Sequence, residues 1–382
     1  MRILAIETSF DEAGLAVIEY SQEETSTKIK VLSDTLFSQA ELHVEYGGVY
    51  PSLAKQVHAK NLTSLFAQTL KDAGLHKEGS SNCPEEIKEI LKREPEMYEE
   101  LKKLLSEIQK PEIDRIAITR GPGLEPALWV GITFAKALSI AWDIPLSPVN
   151  HMEGHIAAAL AKKTDGGFII SPPNSPSLAL LISGAHTELV LMKEYLQYER
   201  IGSTRDDAVG EAFDKTARLL GLQYPGGPKI SKLASLAREE ELDNPYTLPR
   251  PMINSDDYDF SLSGLKTAVR NLVEEIGEPS EEQKKQIARE FEDSVTDVLI
   301  SKTKKAIEEH GIRSLIVSGG VAANSYIREK LESLTKEYEN VDFYIPTPDL
   351  STDNGRMIAF ACAIKDSPIE ENVVADGNLK LY

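Results

Sequence analysis

Short apolar runs on either side of polar turns recur along the chain and predict buried β-strands. The runs at 3–6 (ILAI) and 14–20 (GLAVIEY) flank the polar turn ETSFDEAG, which predicts a β-hairpin whose turn can face a ligand. The runs at 177–183 (SLALLIS) and 187–192 (TELVLM) flank the residues GAH and repeat this pattern. The repeat predicts a duplicated α/β architecture with a cleft between the two halves.

Strands and helices alternate between and after these hairpins. The pattern predicts, in chain order, a helix at 52–74 that ends at Gly74, a strand at 113–119, a loop at Gly121-Pro122-Gly123, an apolar helix at 129–142, a strand at 313–320 that runs into a glycine turn and a helix, and a last strand (VDFYIP) before a helix (MIAFACAI). This alternation is typical of α/β folds.

Residues 76–112 depart from this pattern because they are strongly charged. They contain 7 Lys or Arg and 10 Asp or Glu residues. Their apolar residues recur at helix spacing, which predicts one short and one longer amphipathic helix with Pro95 between them. We interpret the segment as an inserted helical hairpin on a solvated surface, with a partner-docking element as the alternative.

The length and composition narrow the class of protein. A chain of 382 residues is long enough for two to three domains, and 41% apolar and 27% charged residues are ordinary for a globular protein. The two cysteines, Cys83 and Cys362, exclude a disulfide scaffold. Neither has the surroundings of an activated nucleophile, and Cys362 lies in an apolar helix, where we expect it in the core.

The charge balance excludes a strongly basic, generic nucleic-acid binder. The chain carries 42 Lys and Arg against 61 Asp and Glu, a formal net charge of −19. The N-terminus enters a strand pattern directly, without the layout of a signal peptide, and no apolar run approaches the length of a membrane span. We therefore expect a cytoplasmic protein that does not bind a membrane.

Two histidines four residues apart give the most informative chemical signal. On a helix, His151 and His155 lie on one face about one turn apart, which suits two ligands of one metal ion. Helix-surface or core histidines are the alternative. The segment is not HExxH, so a zinc protease would have no base in the right place. The third ligand is usually a carboxylate, and spacing leaves four candidates: Asp11, Asp206, Asp214 and Asp353.

Four glycine turns could receive a phosphate on exposed backbone N–H groups. They lie at 47–48, 183–187, 226–228 and 318–320. The turn Ser318-Gly319-Gly320 is the best of them because it follows a strand and opens a helix; a tight turn without a ligand is the alternative. The sequence contains neither GxGxxG nor GxxxxGK[ST], so neither Rossmann nor Walker chemistry is indicated.

The segment 206–215 (DDAVGEAFDK) is a dense acidic turn that begins a helix. Carboxylates in a first helical turn suit the helix dipole, and this structural explanation is sufficient by itself. Binding of a hydroxyl group or a metal ion in the cleft is the alternative.

The motifs together resemble the TsaD/Kae/OSGEP family of transferases, formerly described as O-sialoglycoprotein endopeptidases. The matching motifs run in order along the chain and are ILAIETSFDEAG (3–14), HVEYGGVYPSLAKQVH (43–58), GPGLEPALWVGITFAKALS (121–139), VNHMEGHIAAAL (149–160), LALLISGAHTELV (178–190), DDAVGEAFDKTARLLGLQYPGGPKI (206–230), FSLSGLKTAV (260–269), VSGGVAANSYIRE (317–329) and STDNGRMIA (351–359). The insert at 76–112 is the main stretch without a counterpart in the family pattern.

The resemblance implies a fold and a reaction. The fold is the actin-like, sugar-kinase-like ATPase fold (ASKHA), with two duplicated α/β lobes and a central nucleotide cleft. We divide the chain into an N-terminal lobe at 1–150, which carries the insert, and a C-terminal lobe at 151–382, and we expect the C-terminal helix to pack back on the N-terminal lobe. The implied enzyme is an acyltransferase. It moves threonylcarbamoyl from threonylcarbamoyl-AMP to N6 of the adenosine 3′ of the anticodon, in tRNAs reading ANN codons, and releases AMP.

The resemblance also implies the site residues and the partners. The metal ligands correspond to His151, His155 and Asp353, with Fe²⁺ as the expected ion and Zn²⁺ as the other choice. Glu12 is a further catalytic candidate. The residues expected to bind the adenylate are Ser183, Gly184, Ala185, His186, Thr187, Asp214, Gly227, Asn324 and Ser231. The expected partners are tRNA, TsaB-like and TsaE-like proteins, and a TsaC-like enzyme that supplies the adenylate.

Four positions depart from the family pattern. Phe10 stands where many members have Cys, and Ser52 stands where an acidic residue often follows the proline. Ala185 replaces a glycine, so its backbone must avoid a positive φ or accept strain. Ser231 replaces an acidic residue that can hold a ribose hydroxyl, so it would contact the ribose as a neutral group.

Three other functions remain alternatives at this point. An ATP-dependent small-molecule kinase of the same fold would keep the phosphate turns without needing the histidine pair. A non-catalytic scaffold would be expected to lack the metal motif, and a metalloprotease would need HExxH. The net charge of −19 further predicts that the isolated chain binds tRNA weakly at physiological salt, because a local basic patch or partner proteins must supply the attraction.

Overall fold

The computed structural model describes residues 1–365 and 368–382 and separates into two compact units. The first unit comprises Met1–Leu42, Val49–Pro172 and Asp353–Leu381. The second comprises His43–Gly48, Pro173–Thr352 and Tyr382. In the part of the chain that the structure describes, no helix is both long and apolar enough to cross a membrane.

The strands follow the apolar runs of the sequence. In chain order they are β1 (Arg2–Glu7), β2 (Glu12–Gln22), β3 (Thr27–Ser38), β4 (Arg115–Gly121), β5 (Leu146–Asn150), β6 (Lys162–Thr164), β7 (Gly167–Ile170), β8 (Ser177–Ile182), β9 (Thr187–Met192), β10 (Glu199–Ser203), β11 (Ser314–Ser318) and β12 (Asp342–Tyr344). Every residue of β8 and β11 is buried, as expected of strands covered on both faces.

Helices occupy most of the segments between the strands. In chain order they are α1 (Pro51–Asp72), α2 (Glu85–Ile90), α3 (Pro95–Glu107), α4 (Glu125–Trp142), α5 (His151–Leu160), α6 (Val209–Leu219), α7 (Gly227–Glu239), α8 (Ser263–Ile276), α9 (Glu281–His310), α10 (Ser325–Thr335), α11 (Pro348–Ser351) and α12 (Gly355–Lys365), with 3₁₀ turns at Ala40–Tyr46 and Gly320–Ala323.

The two units share one strand arrangement, which confirms the predicted duplication. In the first sheet, β1 pairs antiparallel with β2 and β2 with β3, while β4 and β5 continue parallel to β1 on its other side. In the second sheet, β8, β9 and β10 form the same antiparallel set, and β11 and β12 continue parallel to β8. The first sheet adds the β6–β7 hairpin beside β3.

This pairing explains why the first unit extends past residue 150, where we expected the N-terminal lobe to end. The chain leaves β5 into α5 and then returns through β7, which pairs with β3 of the same sheet. The helix α12 also belongs to this unit, where it contacts β1, β2 and α5. Each unit has its own core of buried apolar side chains. A segment therefore belongs to the unit whose core it packs against, wherever that segment lies in the sequence.

The charged insert forms the two predicted helices, α2 and α3, with Pro95 at the start of α3. It is more than a surface hairpin, because its apolar residues join the core of the first unit. Those residues are Ile87, Leu91, Met97, Tyr98, Leu101, Leu105 and Ile108. Polar contacts fix its edges, since the indole N–H of Trp142 donates to Ser81 Oγ at 2.8 Å and Lys55 pairs with Glu94 at 2.9 Å. The insert therefore completes the core of its unit.

Close glycine contacts hold α12 against the first sheet. A Cβ on Gly14 would lie 2.6 Å from the backbone nitrogen of Gly355, and one on Gly355 would lie 2.5 Å from the carbonyl carbon of Leu15. On the other side of α12, a Cβ on Gly154 would lie 3.0 Å from Ile358 Cδ1. Because side chains would separate these backbones, the glycines let β2, α12 and α5 meet closely.

Candidate functional site

The two histidines lie on α5, as their spacing predicts. The helix begins at His151, where the side chain of Asn150 caps it by accepting hydrogen bonds from the N–H groups of Met152 (2.9 Å) and Glu153 (3.4 Å). Every residue of α5 is buried. The rings of His151 and His155 meet edge to face with their centroids 4.7 Å apart, so both imidazoles project from one face of the helix.

Asp353, just before α12, brings a carboxylate to this histidine pair. Its Oδ1 lies 3.5 Å from His151 Nε2 and 3.1 Å from His155 Nε2. One ligand atom from each residue lies within 4.8 Å of the others. Donors each about 2.1 Å from one ion lie roughly 3 to 3.5 Å apart, so this spacing fits a single metal ion. Two imidazoles and one carboxylate also form a known donor set for divalent transition metals.

The structure distinguishes the four carboxylates that spacing left open. Asp353 alone among them joins the histidines in a group of ligand atoms. Asp206 instead binds the start of α8, and Asp214 binds the start of α7. Asp11 lies in the turn between β1 and β2, with its backbone carbonyl accepting a hydrogen bond from Gln39.

Glu7 at the end of β1, with Ser9 and Phe10 of the β1–β2 turn, surrounds His151 on the side away from Asp353. Glu7 Oε2 and Ser9 Oγ lie 3.3 Å and 3.1 Å from His151 Nδ1, and the ring of Phe10 meets the imidazole edge to face. Burial lowers the pKa of His151, but the carboxylates of Asp353 and Glu7 raise it, with a net increase to about 9. Without a metal ion, the site therefore favours a positive charge.

Acidic groups also lie along the rim of this centre. Glu12 is half-buried at the start of β2, and Ser38 Oγ donates to its Oε1 at 3.3 Å. Burial raises the pKa of Glu12 well above its ordinary value, and the carboxylates of Asp11 and Asp353 raise it further. Glu12 is therefore a better proton acceptor than an exposed glutamate.

The predicted adenylate residues all lie in the second unit, and the first group forms the turn between β8 and β9. Ser183 Oγ accepts hydrogen bonds from the N–H groups of Ala185 (3.3 Å) and His186 (3.1 Å). Ala185 does not have a positive φ, so alanine in place of the family's glycine causes no backbone strain there. Gly184 and Ala185 are exposed, so their backbone is accessible to a ligand.

The helix α6 begins against this turn. The N–H of Val209 donates to Thr187 Oγ1 at 2.8 Å, and the N–H of Gly210 donates to the Ser183 carbonyl at 3.1 Å. A Cβ on Gly210 would lie 2.8 Å from Gly184 Cα, so the glycine permits this close approach. The side chain of Thr187 thus serves to hold the backbone of the turn and the helix together.

The turn Ser318-Gly319-Gly320 follows β11, the strand next to β8. Gly319 has φ +96°, and a Cβ there would clash with the carbonyl oxygen of Ile182 at the end of β8. The two turns therefore meet at the same edge of the second sheet. Asn324 caps α10 by accepting from the Ile327 N–H at 3.0 Å, and its amide donates to the buried Glu292 at 2.7 Å.

The remaining predicted adenylate residues lie on α6 and α7. Asp214 Oδ1 accepts hydrogen bonds from the N–H groups of Gly226 (2.7 Å) and Gly227 (3.3 Å), so it fixes the start of α7. Ser231 is half-buried one turn further along α7. Here the side chain of an acidic residue holds a glycine backbone in place, as the hydroxyls of Ser183 and Thr187 hold the backbone of the first turn.

Comparison with known families assigns the chain to one of them. The family TsaD, described as tRNA N6-adenosine threonylcarbamoyltransferase, matches residues 30–80 and 92–360. The chain belongs to the TsaD family. The matched ranges contain the histidine pair, Asp353 and all the predicted adenylate residues. They also contain 76–80 and 92–112 of the charged insert, so only its residues 81–91 lack the family counterpart that we expected the whole insert to lack. The TsaD family is a family of transferases that is associated with tRNA modification.

Two crystal structures of HypF proteins are similar to this TsaD-family chain. The one from T. kodakarensis has a TM-score of 0.51 and 13% identity, covering 95% of this chain and 47% of its own. Full-length HypF in its phosphate- and nucleotide-bound form has a TM-score of 0.45 and 16% identity, covering 72% and 42%. The chain thus spans less than half the length of either protein. The first likeness supports a shared fold, and with the family it places the chain in the ASKHA fold class.

Sequence reasoning missed two buried carboxylates that support the site residues. Glu7 contacts His151, and Glu292 contacts Asn324. Both are fully buried. Glu7 could have been noticed in the sequence because it is a charged residue at the end of an apolar strand. A carboxylate buried there needs hydrogen-bond or ion-pair partners. Glu292 lies in a charged helix, where nothing in the sequence marks it.

Proposed function

We propose that this protein is a tRNA N6-adenosine threonylcarbamoyltransferase that uses threonylcarbamoyl-AMP as its donor. The N6 amine of the adenosine 3′ of the anticodon attacks the carbamoyl carbon, a C–N bond forms, and the C–O bond to the phosphate breaks. AMP leaves with the electron pair of that bond, and N6 loses one proton. The donor is a mixed anhydride and already activated, so the protein need not supply a covalent nucleophile.

The convergence of His151, His155 and Asp353 is the observation that carries this proposal. A family match by itself does not show that a site is intact, whereas two imidazoles and one carboxylate within bonding reach of one ion do support catalysis. These three residues would hold a divalent ion, with Fe²⁺ preferred and Zn²⁺ as the other choice, and the ion would supply Lewis-acid polarisation of a carbonyl oxygen. Asp353 is 16% exposed, so the centre is accessible from its side.

The turns of the second unit are proposed to bind the adenylate. The exposed Gly184 offers its backbone N–H to a phosphate. Ser183 holds the turn in the required conformation by accepting from the N–H groups of Ala185 and His186. Ser231 would contact the ribose as a neutral hydrogen-bonding group. Binding and orientation of the donor lower the barrier because the reacting groups are already in place.

Glu12 is proposed to accept the proton that N6 releases. Its raised pKa brings it nearer to neutral pH, which suits a general base. Substitution Glu12→Gln removes this function and leaves a side chain of the same size. We expect a loss of transfer of about 10²- to 10⁴-fold with unchanged metal content. Transfer at the wild-type rate would exclude Glu12 as the base.

The function is tested by reconstitution. Metal-loaded protein is incubated with threonylcarbamoyl-AMP, tRNA and its candidate partners, and nucleosides from the digested tRNA are analysed by mass spectrometry for threonylcarbamoyladenosine. Formation of the modified adenosine supports the proposal. If the complete, metal-loaded mixture forms none, the proposal is wrong, and assays for ATP-dependent phosphorylation of small molecules and for proteolysis then test the kinase and protease alternatives.

We further propose that TsaB-like and TsaE-like proteins and tRNA are partners, and that a TsaC-like enzyme supplies the adenylate. The net charge of −19 supports a need for help in binding tRNA. We expect the isolated chain to bind tRNA weakly at physiological salt in a filter-binding assay, and more tightly once the partners are added. Tight binding by the isolated chain would contradict this expectation.

A further inference from the structure

Two groups contact the inner ring nitrogen of His151, and they differ in what they can do there. Glu7 Oε2 lies 3.3 Å and Ser9 Oγ 3.1 Å from Nδ1. A hydroxyl can donate or accept, so Ser9 is compatible with a proton on either ring nitrogen. An ionised carboxylate can only accept, so Glu7 requires the proton to be on Nδ1.

The position of that proton decides whether His151 can bind a metal ion. Nε2 faces Asp353, and it can donate an electron pair to an ion only when the proton of the neutral ring is on Nδ1. Carboxylates that accept a hydrogen bond from the outer nitrogen of a ligating histidine fix both the tautomer and the orientation of the ring.

Glu7 is itself fixed from three directions. It is fully buried, and its Oε1 accepts from the N–H of Ser9 at 2.6 Å, while its Oε2 accepts from Thr119 Oγ1 at 2.5 Å as well as facing His151. Ser9 and Thr119 belong to separate segments, one in the β1–β2 turn and one in β4. The carboxylate therefore cannot easily turn away from the imidazole.

We propose that Glu7 is a positioning residue that sets the tautomer and orientation of His151 for metal binding. It does not contact the substrate and acts through the histidine. The inference rests on the proposed function only for its effect on transfer, because metal binding can be measured without tRNA or adenylate.

The substitution Glu7→Gln tests this directly because the surroundings dictate how the amide must sit. The N–H of Ser9 requires an oxygen at the Oε1 position, which places the amide NH₂ toward His151 Nδ1 and Thr119. The Thr119 hydroxyl can then donate to the Ile6 carbonyl, 3.4 Å away, so the variant can be accommodated. The NH₂ donates to Nδ1, so the ring carries its proton on Nε2, the nitrogen that faces Asp353.

We expect Glu7→Gln to lower the affinity for Zn²⁺ by about 10- to 100-fold in competition with a chromophoric chelator. The visible spectrum of the Co²⁺-loaded variant should differ from that of the wild type. Long-range ¹H–¹⁵N spectra of the metal-free variant, recorded at a pH high enough to neutralise the ring, should show His151 with its proton on Nε2. Near-UV circular dichroism of the variant is measured beside these spectra and should match the wild type, because a general loss of tertiary packing would abolish that signal.

Ser9→Ala is the matched control, because it removes the other contact to the same nitrogen without imposing a tautomer. We expect a smaller loss of Zn²⁺ affinity than in Glu7→Gln. If Glu7→Gln fails to fold, Glu7→Asp keeps the charge but withdraws the carboxylate from Nδ1, and it should also weaken Zn²⁺ binding.

The proposal is overturned if a folded Glu7 variant binds Zn²⁺ as tightly as the wild type, or if Ser9→Ala weakens binding as much as Glu7→Gln. It is also overturned if Glu7→Gln loses transfer while its Zn²⁺ affinity and Co²⁺ spectrum are unchanged. If Zn²⁺ binding responds as expected but even the wild type forms no modified adenosine, the proposed function fails and the role of Glu7 stands.

Discussion

The same hairpin turn occurs once in each unit, and the two turns are used differently. In the first unit, the end of β1 and the turn that follows it contribute side chains: Glu7 and Ser9 contact the inner nitrogen of His151. In the second unit, the turn between β8 and β9 leaves Gly184 and Ala185 exposed. The hydroxyls of Ser183 and Thr187 accept hydrogen bonds from backbone N–H groups instead of facing a ligand.

In the function proposed here, one fold presents two kinds of binding group from equivalent positions. A metal ion needs directed lone pairs, so the first turn must orient an imidazole. A phosphate is bound well by backbone N–H groups, so the second turn needs a fixed backbone more than particular outward side chains. Side-chain substitutions should therefore act directly in the first unit and through backbone conformation in the second.

The largest expected effect is at the metal centre. Replacing both His151 and His155 with Ala removes two of the three ligands and should abolish metal binding, with a loss of transfer of roughly 10³-fold or more. Metal content by elemental analysis and the transfer assay measure these effects. His76→Ala, which changes a histidine outside the site, should retain both properties. Transfer by the metal-free double variant would refute metal-assisted catalysis.

The next largest effect is expected on the stability of the second unit, when two glycines in its turns are substituted. Gly319→Ala introduces a side chain at φ +96° and against the Ile182 carbonyl, so it should lower the free energy of unfolding by about 2 to 3 kcal/mol. Gly184→Ala meets nothing within 4 Å and should change it by less than about 0.5 kcal/mol. Urea unfolding measures both. Equal costs would show that the two turns are equally tolerant.

A smaller effect is expected at Thr187, which holds α6 to its turn. Thr187→Val keeps the shape of the side chain but leaves the buried N–H of Val209 without its acceptor, at a cost of about 1 to 2 kcal/mol. Thr187→Ser keeps the hydroxyl and should recover most of that hydrogen-bond contribution. If both variants lose the same stability, the hydroxyl does not fix the turn.

The smallest effect concerns Asp206, which binds α8 through the N–H groups of Leu262 and Ser263 and the hydroxyls of Ser261 and Ser263. Partial burial raises the pKa of Asp206, but these hydrogen bonds lower it, with a net decrease to about 2. A folded-state pKa below the unfolded value of about 3.9 means that the stabilisation is present above pH 4 and is lost as the pH falls toward 2.

Asp206→Asn should therefore lower the free energy of unfolding by about 1 kcal/mol at pH 6, a figure that allows for solvent screening. The difference from the wild type should narrow as the pH falls from about 5 toward 2.5. Urea unfolding at several pH values measures this difference. A gap that stays constant over this range would show that the charge of Asp206 does not contribute.

Much of the fold was accessible from the sequence because its buried strands are continuous apolar runs. The hairpins at both duplicated positions, the helices around Pro95 and the apolar α4 all follow the predicted pattern. The strand β3 escaped prediction because polar and apolar residues are mixed along it, and the 30-residue α9 escaped because many of its buried positions are polar or charged. Cys362 is fully buried, as predicted from its apolar helix.

The candidate site, like the fold, was predictable from the sequence only in part. Spacing alone placed His151 and His155 on one helix face, because four residues make about one turn. Spacing could not select Asp353 among four carboxylates, since its approach depends on the packing of α12 against β2 and α5. The family resemblance selected Asp353, and the structure places its Oδ1 within 3.5 Å of both Nε2 atoms.

The sequence by itself determined the duplicated strand–turn–strand pattern, the histidine pair and the glycine turns, because each is encoded in neighbouring residues. Only the tertiary structure decided which carboxylate joins the histidine pair, which buried glutamate contacts His151, and that the charged insert completes a core. The first two features join segments more than a hundred residues apart, and the insert packs on the separate helices α1 and α4. Such contacts depend on how separate strands and helices pack rather than on local spacing.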